Sequence, residues 1–158
     1  MKILFLCTHN RCRSILAEAL TLHKNSVWLQ AKSAGSAPAG VVHPLTLHYL
    51  QEAGVRTLGL SSKSWYDLDG FQPNLIITLC DSAAGESCPV AFHAALKLHW
   101  PLSDPSKFEG EQAAAAFRAC IADINRRLAV LENVAMKPSE CWAQSLKSTE
   151  WSHTNGVV

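Results

Sequence analysis

The apolar run Ile3-Leu4-Phe5-Leu6 leads directly into Cys7-Thr8-His9-Asn10-Arg11-Cys12-Arg13-Ser14, and that octapeptide into Ile15-Leu16-Ala17-Glu18-Ala19-Leu20. The first run reads as a buried strand and the last as a helix over residues 14–24, so the chain must open as a strand–loop–helix unit. In that setting a cysteine, five intervening residues and then Arg13-Ser14 make an anion cradle. Loop N–H groups and a helix N-terminus converge on one spot and favour negative charge there. A thiolate at that spot is stabilised for the same reason. Lowering a thiol pKa by about 2 units corresponds to roughly 2.7 kcal/mol of preference for the anion. Arg13 adds a planar, permanently charged fork suited to a tetrahedral oxyanion. The pattern points to thiolate attack on a phosphate-like centre. His9 reads as a loop residue before a general base. Arg11 either widens the positive field or faces solvent, and Cys12 reads as a small structural side chain.

Beyond the loop, strands and helices alternate. A second strand is predicted at residues 27–31, followed by a small-residue loop over 33–40 and a helix from His43-Pro44 to Ala53. Leu75-Ile76-Ile77-Thr78-Leu79 reads as a fully buried strand, and Leu96-Lys97-Leu98-His99-Trp100 as a shorter one. Residues 111–131 form the longest helical stretch, with Phe117, Cys120, Ile121, Ile124, Leu128 and Leu131 on one face. Alternation of this kind implies a parallel sheet covered on both faces, with sites beyond the C-terminal strand ends. The Cys7 loop, the residues after Leu79 and those after Trp100 can therefore meet in one pocket. The 158 residues are enough for one domain, over 1–132. Residues 133–158 lose the periodicity and read as a loosely held tail, with Trp142 and Trp151 docking locally.

A formal net charge of +1 argues against nucleic-acid or membrane-surface binding. No apolar stretch reaches the length of a membrane span, and residues 1–6 are too short for a signal-peptide core, so the chain is expected in the cytoplasm. Six cysteines in a reducing compartment read as reactive thiols or metal ligands. Cys80 directly follows the buried strand, and Cys88 stands eight positions on, before Pro89. Eight helical steps span about 12 Å, whereas disulfide Cα atoms lie about 4.4–6.8 Å apart, so a Cys80–Cys88 bridge requires this Gly, Ser and Ala-rich segment to bend or unwind. Alternatives are two unrelated cysteines, or zinc on Cys80, Cys88, His93 and His99, whose spacing does not match the usual knuckles. Cys120 reads as core, and Cys141 has no assignment. Ser103-Asp104-Pro105 reads as a turn or, equally, as an acid at a strand end able to protonate a departing oxygen.

The Cys7–Ser14 motif resembles the signature loop of low-molecular-weight protein tyrosine phosphatases and of the arsenate reductases that share their fold. The Cys80…Cys88-Pro89 segment and the His99-Trp100…Asp104-Pro105 stretch resemble the reductase branch, and the likeness covers residues 2–131. It implies a three-layer α/β fold with a four-stranded parallel sheet and helices on both faces. It further implies that Thr8, His9, Asn10, Arg11, Cys12 and Arg13 hold arsenate while Cys7 attacks arsenic and Asp104 protonates the leaving oxygen. Ser14 hydrogen-bonds the Cys7 thiolate, and Asn10 braces the loop. Cys80 then closes a disulfide with Cys7, and Cys88 draws it into a Cys80–Cys88 bridge for thioredoxin to reduce. The implied enzyme is a monomer holding no metal or cofactor. A glutathione and glutaredoxin variant makes Cys88 dispensable. A phosphatase needs only Cys7, Arg13 and Asp104, but here Ser106-Lys107 follows Asp104-Pro105 where that branch has an aromatic pair. A redox-sensing or arsenic-binding module would keep the thiols without Asp104. His9 and Arg11 stand where many relatives have Gly and a small residue, and the Cys80–Cys88 spacing is one residue longer than expected. Lys63 falls where some relatives place an acidic residue of a potassium site, which counts against bound potassium.

Overall fold

The structure, a computed structural model, describes residues 1–68 and 70–151. Four parallel strands, β1 (Lys2–Leu6), β2 (Gln30–Ala34), β3 (Leu75–Thr78) and β4 (Leu96–His99), form one sheet in the order β2-β1-β3-β4. The two central strands are continuously apolar because both of their faces are covered. Ile3, Phe5, Leu75 and Ile77 enter the larger core, and Leu4, Leu6 and Ile76 the smaller one on the opposite face. The larger core is closed by α1 (Arg13–Lys24), α2 (Pro44–Glu52), α4 (Gly110–Ala135) and α5 (Trp142–Ser148). These supply Leu16, Leu20, Leu50, Phe117, Ile124, Leu128, Leu131 and Leu146. Short 3-10 turns at Trp65–Asp67 and Val90–Phe92 roof the smaller core with Trp65 and Phe92. Among the described residues no helix is long and apolar enough to cross a membrane.

Register decides what meets at the C-terminal edge. Leu6 of β1 lies opposite Thr78 of β3, so the loop after β1 and the segment after β3 emerge side by side. Cys7 and Cys80 thus leave neighbouring strands at the same end of the sheet. The one-turn helix α3 (Asp81–Ala84) begins immediately after Cys80.

Two expectations are corrected. The second strand lies at Gln30–Ala34 and not at 27–31. Val27 and Trp28 are exposed, and the small residues Ala31, Ser33 and Ala34 are buried against β1 instead. An edge strand that pairs on one side does not need the apolar run that marks a central strand. The tail expected to be loosely held from 133 is packed through Trp151. α4 continues to Ala135, Leu146 is buried, and the Trp151 ring lies 5.5 Å from that of fully buried Trp100. Its Nε1 donates to the Leu146 carbonyl at 3.2 Å. The local docking expected of Trp142 and Trp151 is what holds the segment; short apolar runs between polar residues have too little period to reveal the helix and packing around it. Residues 152–158 of that expected tail lie outside the described residues. Replacing Trp151 by Ala is expected to cost about 1–2 kcal/mol of unfolding free energy, measured by urea denaturation; an unchanged midpoint would show that the contact contributes nothing.

Candidate active site

The loop after β1 is shaped by where its carbonyls go. Thr8 O accepts from Ala37 N–H at 3.0 Å. His9 O accepts from Ala39 N–H at 2.9 Å and from Ser62 Oγ at 3.1 Å. Arg11 O accepts from His43 N–H at 2.9 Å and from Thr46 Oγ1 at 3.3 Å. A trans peptide carries its C=O and the following N–H on opposite sides. Carbonyls held outward therefore turn the N–H groups of His9 and Cys12 into the loop. Asn10 adopts φ 45°, a left-handed conformation that Asn tolerates. Its Nδ2 donates to Ser14 Oγ at 2.8 Å, and its Oδ1 accepts from Lys63 N–H at 2.9 Å. Asn10, Cys12 and Ser14 are buried, Thr8 and Arg11 half-buried, and His9 exposed.

Gly35 is a site residue that composition does not mark. A Cβ there would stand 2.4 Å from Thr8 O and 2.6 Å from Cys7 O, both backbone atoms. Only a glycine lets the 35–43 segment approach closely enough to hold those carbonyls.

The sulfur atoms divide into two groups. Cys7 and Cys80 are both buried and lie against each other and Ala83. Cys80 Sγ also accepts from Ala83 N–H at 3.4 Å and lies 3.8 Å from Thr8 Oγ1. The hydrogen bond from Cys7 outweighs burial, and with the N–H groups of Thr8 and Ala83 it lowers the Cys80 pKa to about 5. The same bond, together with burial, raises the Cys7 pKa, and Arg13 opposes that rise. As a pair, the two thiols lose a first proton readily and a second only with difficulty. Cys88 stands apart: it is half-buried against Leu4, Leu6, Ile76 and Phe92, and burial raises its pKa. All six cysteines are free. Cys12 and Cys120 are both pushed up to about 12 by burial. Cys80, Cys88, His93 and His99 do not form a metal cluster, and no group of three or more His, Cys, Asp or Glu does so among the described residues.

Arg13, the first residue of α1, is tied down from the far side of the site. Its Nη1 donates to Leu102 O at 2.9 Å and to Leu79 O at 3.5 Å, and its Nη2 lies 3.6 Å from Asp104 Oδ2. Its Nε is buried with no partner among the described residues. Burial raises the Asp104 pKa, but hydrogen bonds from the Ser106 hydroxyl and N–H, aided by Arg13 and Lys107, reverse this and leave it lowered. Asp104 therefore rests as a carboxylate. The turn reading of Ser103-Asp104-Pro105 describes it, since its Oδ1 accepts from Ser106 N–H at 3.0 Å. Glu86, which no motif marks, accepts from Thr8 Oγ1 at 3.0 Å and links the segment after β3 to the loop.

Behind the loop, Lys63 Nζ lies 3.4 Å from Glu18 Oε2, 3.4 Å from Ser33 Oγ and 3.1 Å from Ser61 O. A potassium ion does not fit these residues, because an ammonium already takes the oxygens that would hold it.

A parallel α/β sheet that presents a cysteine inside a backbone anion cradle, facing an Arg and an Asp, defines a class of thiol enzymes. The family model for low molecular weight phosphotyrosine protein phosphatases matches residues 2–140, and the chain belongs to that family. An arsenate reductase of Bacillus licheniformis is 34% identical over 130 residues, covering 80% of this chain and 91% of the relative. The structure of an arsenate reductase from Archaeoglobus fulgidus matches with a TM-score of 0.64 at 31% identity, over 83% of this chain and 98% of the other. A thioredoxin-dependent arsenate reductase of Corynebacterium glutamicum matches with a TM-score of 0.62 at 28% identity, over 85% of this chain and 61% of that one.

Gly35→Ala should cost about 1–3 kcal/mol in urea denaturation, because the backbone it meets cannot yield without moving the loop; wild-type stability would contradict the close approach. A lowered thiol pKa leaves thiolate present above it and removes it as the pH falls through it. Iodoacetamide should therefore modify the Cys7–Cys80 pair at a rate that is flat through neutrality and falls only towards pH about 5. A rate that instead halves near the ordinary thiol value of about 8.5 would contradict the pairing.

Proposed function

We propose that this chain is an arsenate reductase in which Cys7 attacks arsenic, Cys80 completes the two-electron reduction, and Cys88 passes the resulting disulfide to thioredoxin. The observation that carries the reading is the second thiol, Cys80, held in hydrogen-bonding contact with Cys7 beside the anion cradle. A phosphatase needs one sulfur here and gains nothing from a second. The identity to arsenate reductases over most of the chain supports the same reading.

The oxyanion sits in the loop, held by the His9 and Cys12 N–H groups and by Arg13. The buried Nε of Arg13 acquires an acceptor at that point. Arrival of the anion draws Arg13 from Asp104 and places negative charge beside the carboxylate, which raises its pKa and lets it take up a proton. Cys7 passes its proton to the adjoining Cys80 thiolate and forms a sulfur–arsenic bond, and Asp104 gives its own proton to the departing oxygen, which leaves as water. Ser14 Oγ–H steadies the Cys7 thiolate. Cys80, its proton released to solvent, then attacks Cys7 sulfur as the thiolate. The sulfur–arsenic bond breaks, its electron pair stays on arsenic, and arsenite leaves as the Cys7–Cys80 disulfide forms. Cys88 displaces Cys7 from Cys80, which returns the first thiol. This last step requires α3 to unwind, since Cys88 packs away from Cys80; a single helical turn resists that little. Thioredoxin reduces the Cys80–Cys88 bridge by the same exchange. The protein is read as a cytoplasmic monomer with no bound cofactor, the electrons coming from the external dithiol.

Arsenate should drive oxidation of NADPH in the presence of thioredoxin and thioredoxin reductase. Turnover with glutathione and glutaredoxin alone would replace the proposed donor, and turnover in neither system would sink the reductase reading. In the working system Asp104→Asn should lower kcat by about 10²–10⁴, and an unchanged kcat would remove the acid role.

A further inference from the structure

We propose that the Lys63 ammonium is the built-in cation of the anion loop's support. It is a positioning residue that makes oxyanion binding independent of monovalent metal ions. The loop is backed by Glu18 of α1 and Ser33 of β2, both buried, with Ser33 Oγ donating to Glu18 Oε2. A buried carboxylate without a counter-charge is costly. The nearby cation is Lys63, whose three N–H donors match three acceptors: the Glu18 carboxylate, the Ser33 hydroxyl and the Ser61 carbonyl. One carboxylate, one hydroxyl and one carbonyl are also the hard oxygens that an alkali cation takes. The tethered ammonium holds that place permanently.

The same residue reaches the loop through its backbone. Lys63 N–H donates to Asn10 Oδ1 at 2.9 Å, and Lys63 O accepts from Gly35 N–H at 3.0 Å. Asn10 is the left-handed residue whose Nδ2 holds Ser14. Gly35 opens the segment that holds the loop carbonyls outward. Neutralising Glu18 at Nζ therefore fixes, one peptide away, both residues that set the loop's shape. The inference rests on the proposed function only in taking this loop as the anion site.

The test uses inorganic phosphate as the probe, its affinity measured by calorimetry in potassium, sodium or choline chloride at equal ionic strength, with melting followed alongside. Wild-type affinity and melting temperature should be the same in all three salts; a rise in potassium over choline overturns the proposal. Lys63→Ala, which opens room for an ion, should bind phosphate about tenfold more weakly in choline and recover in potassium. Lys63→Met, which fills the space without charge, should weaken equally and not recover. Wild-type affinity of Lys63→Ala in choline, or equal rescue of both variants, overturns it. If either single variant does not fold, Glu18→Gln/Lys63→Met must still melt above Lys63→Met. A double variant no more stable than that single variant shows that Lys63 does not neutralise Glu18. Readouts of phosphate and melting do not need arsenate turnover, so a chain that binds phosphate as described yet reduces no arsenate fails the reductase reading alone.

Discussion

The commitment of three loop carbonyls, those of Thr8, His9 and Arg11, to donors outside the loop is the constraint on which the site depends. A chain that turns from strand to helix in a few residues has no secondary structure to dictate where its peptides point. Here Ala37, Ala39, Ser62, His43 and Thr46 do so instead, and the opposed N–H groups of His9 and Cys12 face the space beside Cys7, while Asn10 N–H donates to Cys7 O. That arrangement needs Gly35, which admits the 35–43 segment to contact, and Asn10, which accepts the left-handed bend. The charge of Arg13 and the sulfur of Cys7 act only because this frame sets the anion between them.

The electrostatics of the resting site form a closed circuit among its own groups. Arg13 is paired with Asp104, and the Cys7 thiol with Cys80. In the proposed mechanism an arriving oxyanion competes for Arg13, returns a proton-accepting role to Asp104, and meets a sulfur that already has its partner for the second step in contact. In the proposed relay attack and resolution are thus prepared by one packing arrangement, whereas Cys88, its third thiol, packs in the opposite core.

Much of this was legible from the chain. The strand–loop–helix around Cys7, the buried strand ending at Thr78 and the proximity of Cys80 all follow from apolar periodicity and from parallel strands sharing one functional edge. The strand over Gln30–Ala34 was not legible, because edge pairing with small residues leaves no apolar run while Val27 and Trp28 mislead by being apolar and exposed. Local docking of Trp151 was expected, but its partner, Trp100, was not, because that tertiary contact has no local period. Gly35 and Glu86 act through distances of a few ångströms between segments far apart in sequence. Lys63 could be flagged as a departure from related chains, but its salt bridge with Glu18 became visible only when α1 and the 61–64 segment were placed together.

The account turns on Cys80 as the residue that takes sulfur from arsenic, and one measurement addresses this directly. Cys88→Ser protein, fully reduced and then mixed with excess arsenate without any reductant, is digested under acid and its disulfides are mapped by mass spectrometry. A Cys7–Cys80 disulfide, formed in step with a single equivalent of arsenite per chain, is the predicted result. Arsenite released while Cys80 remains a free thiol would contradict the account.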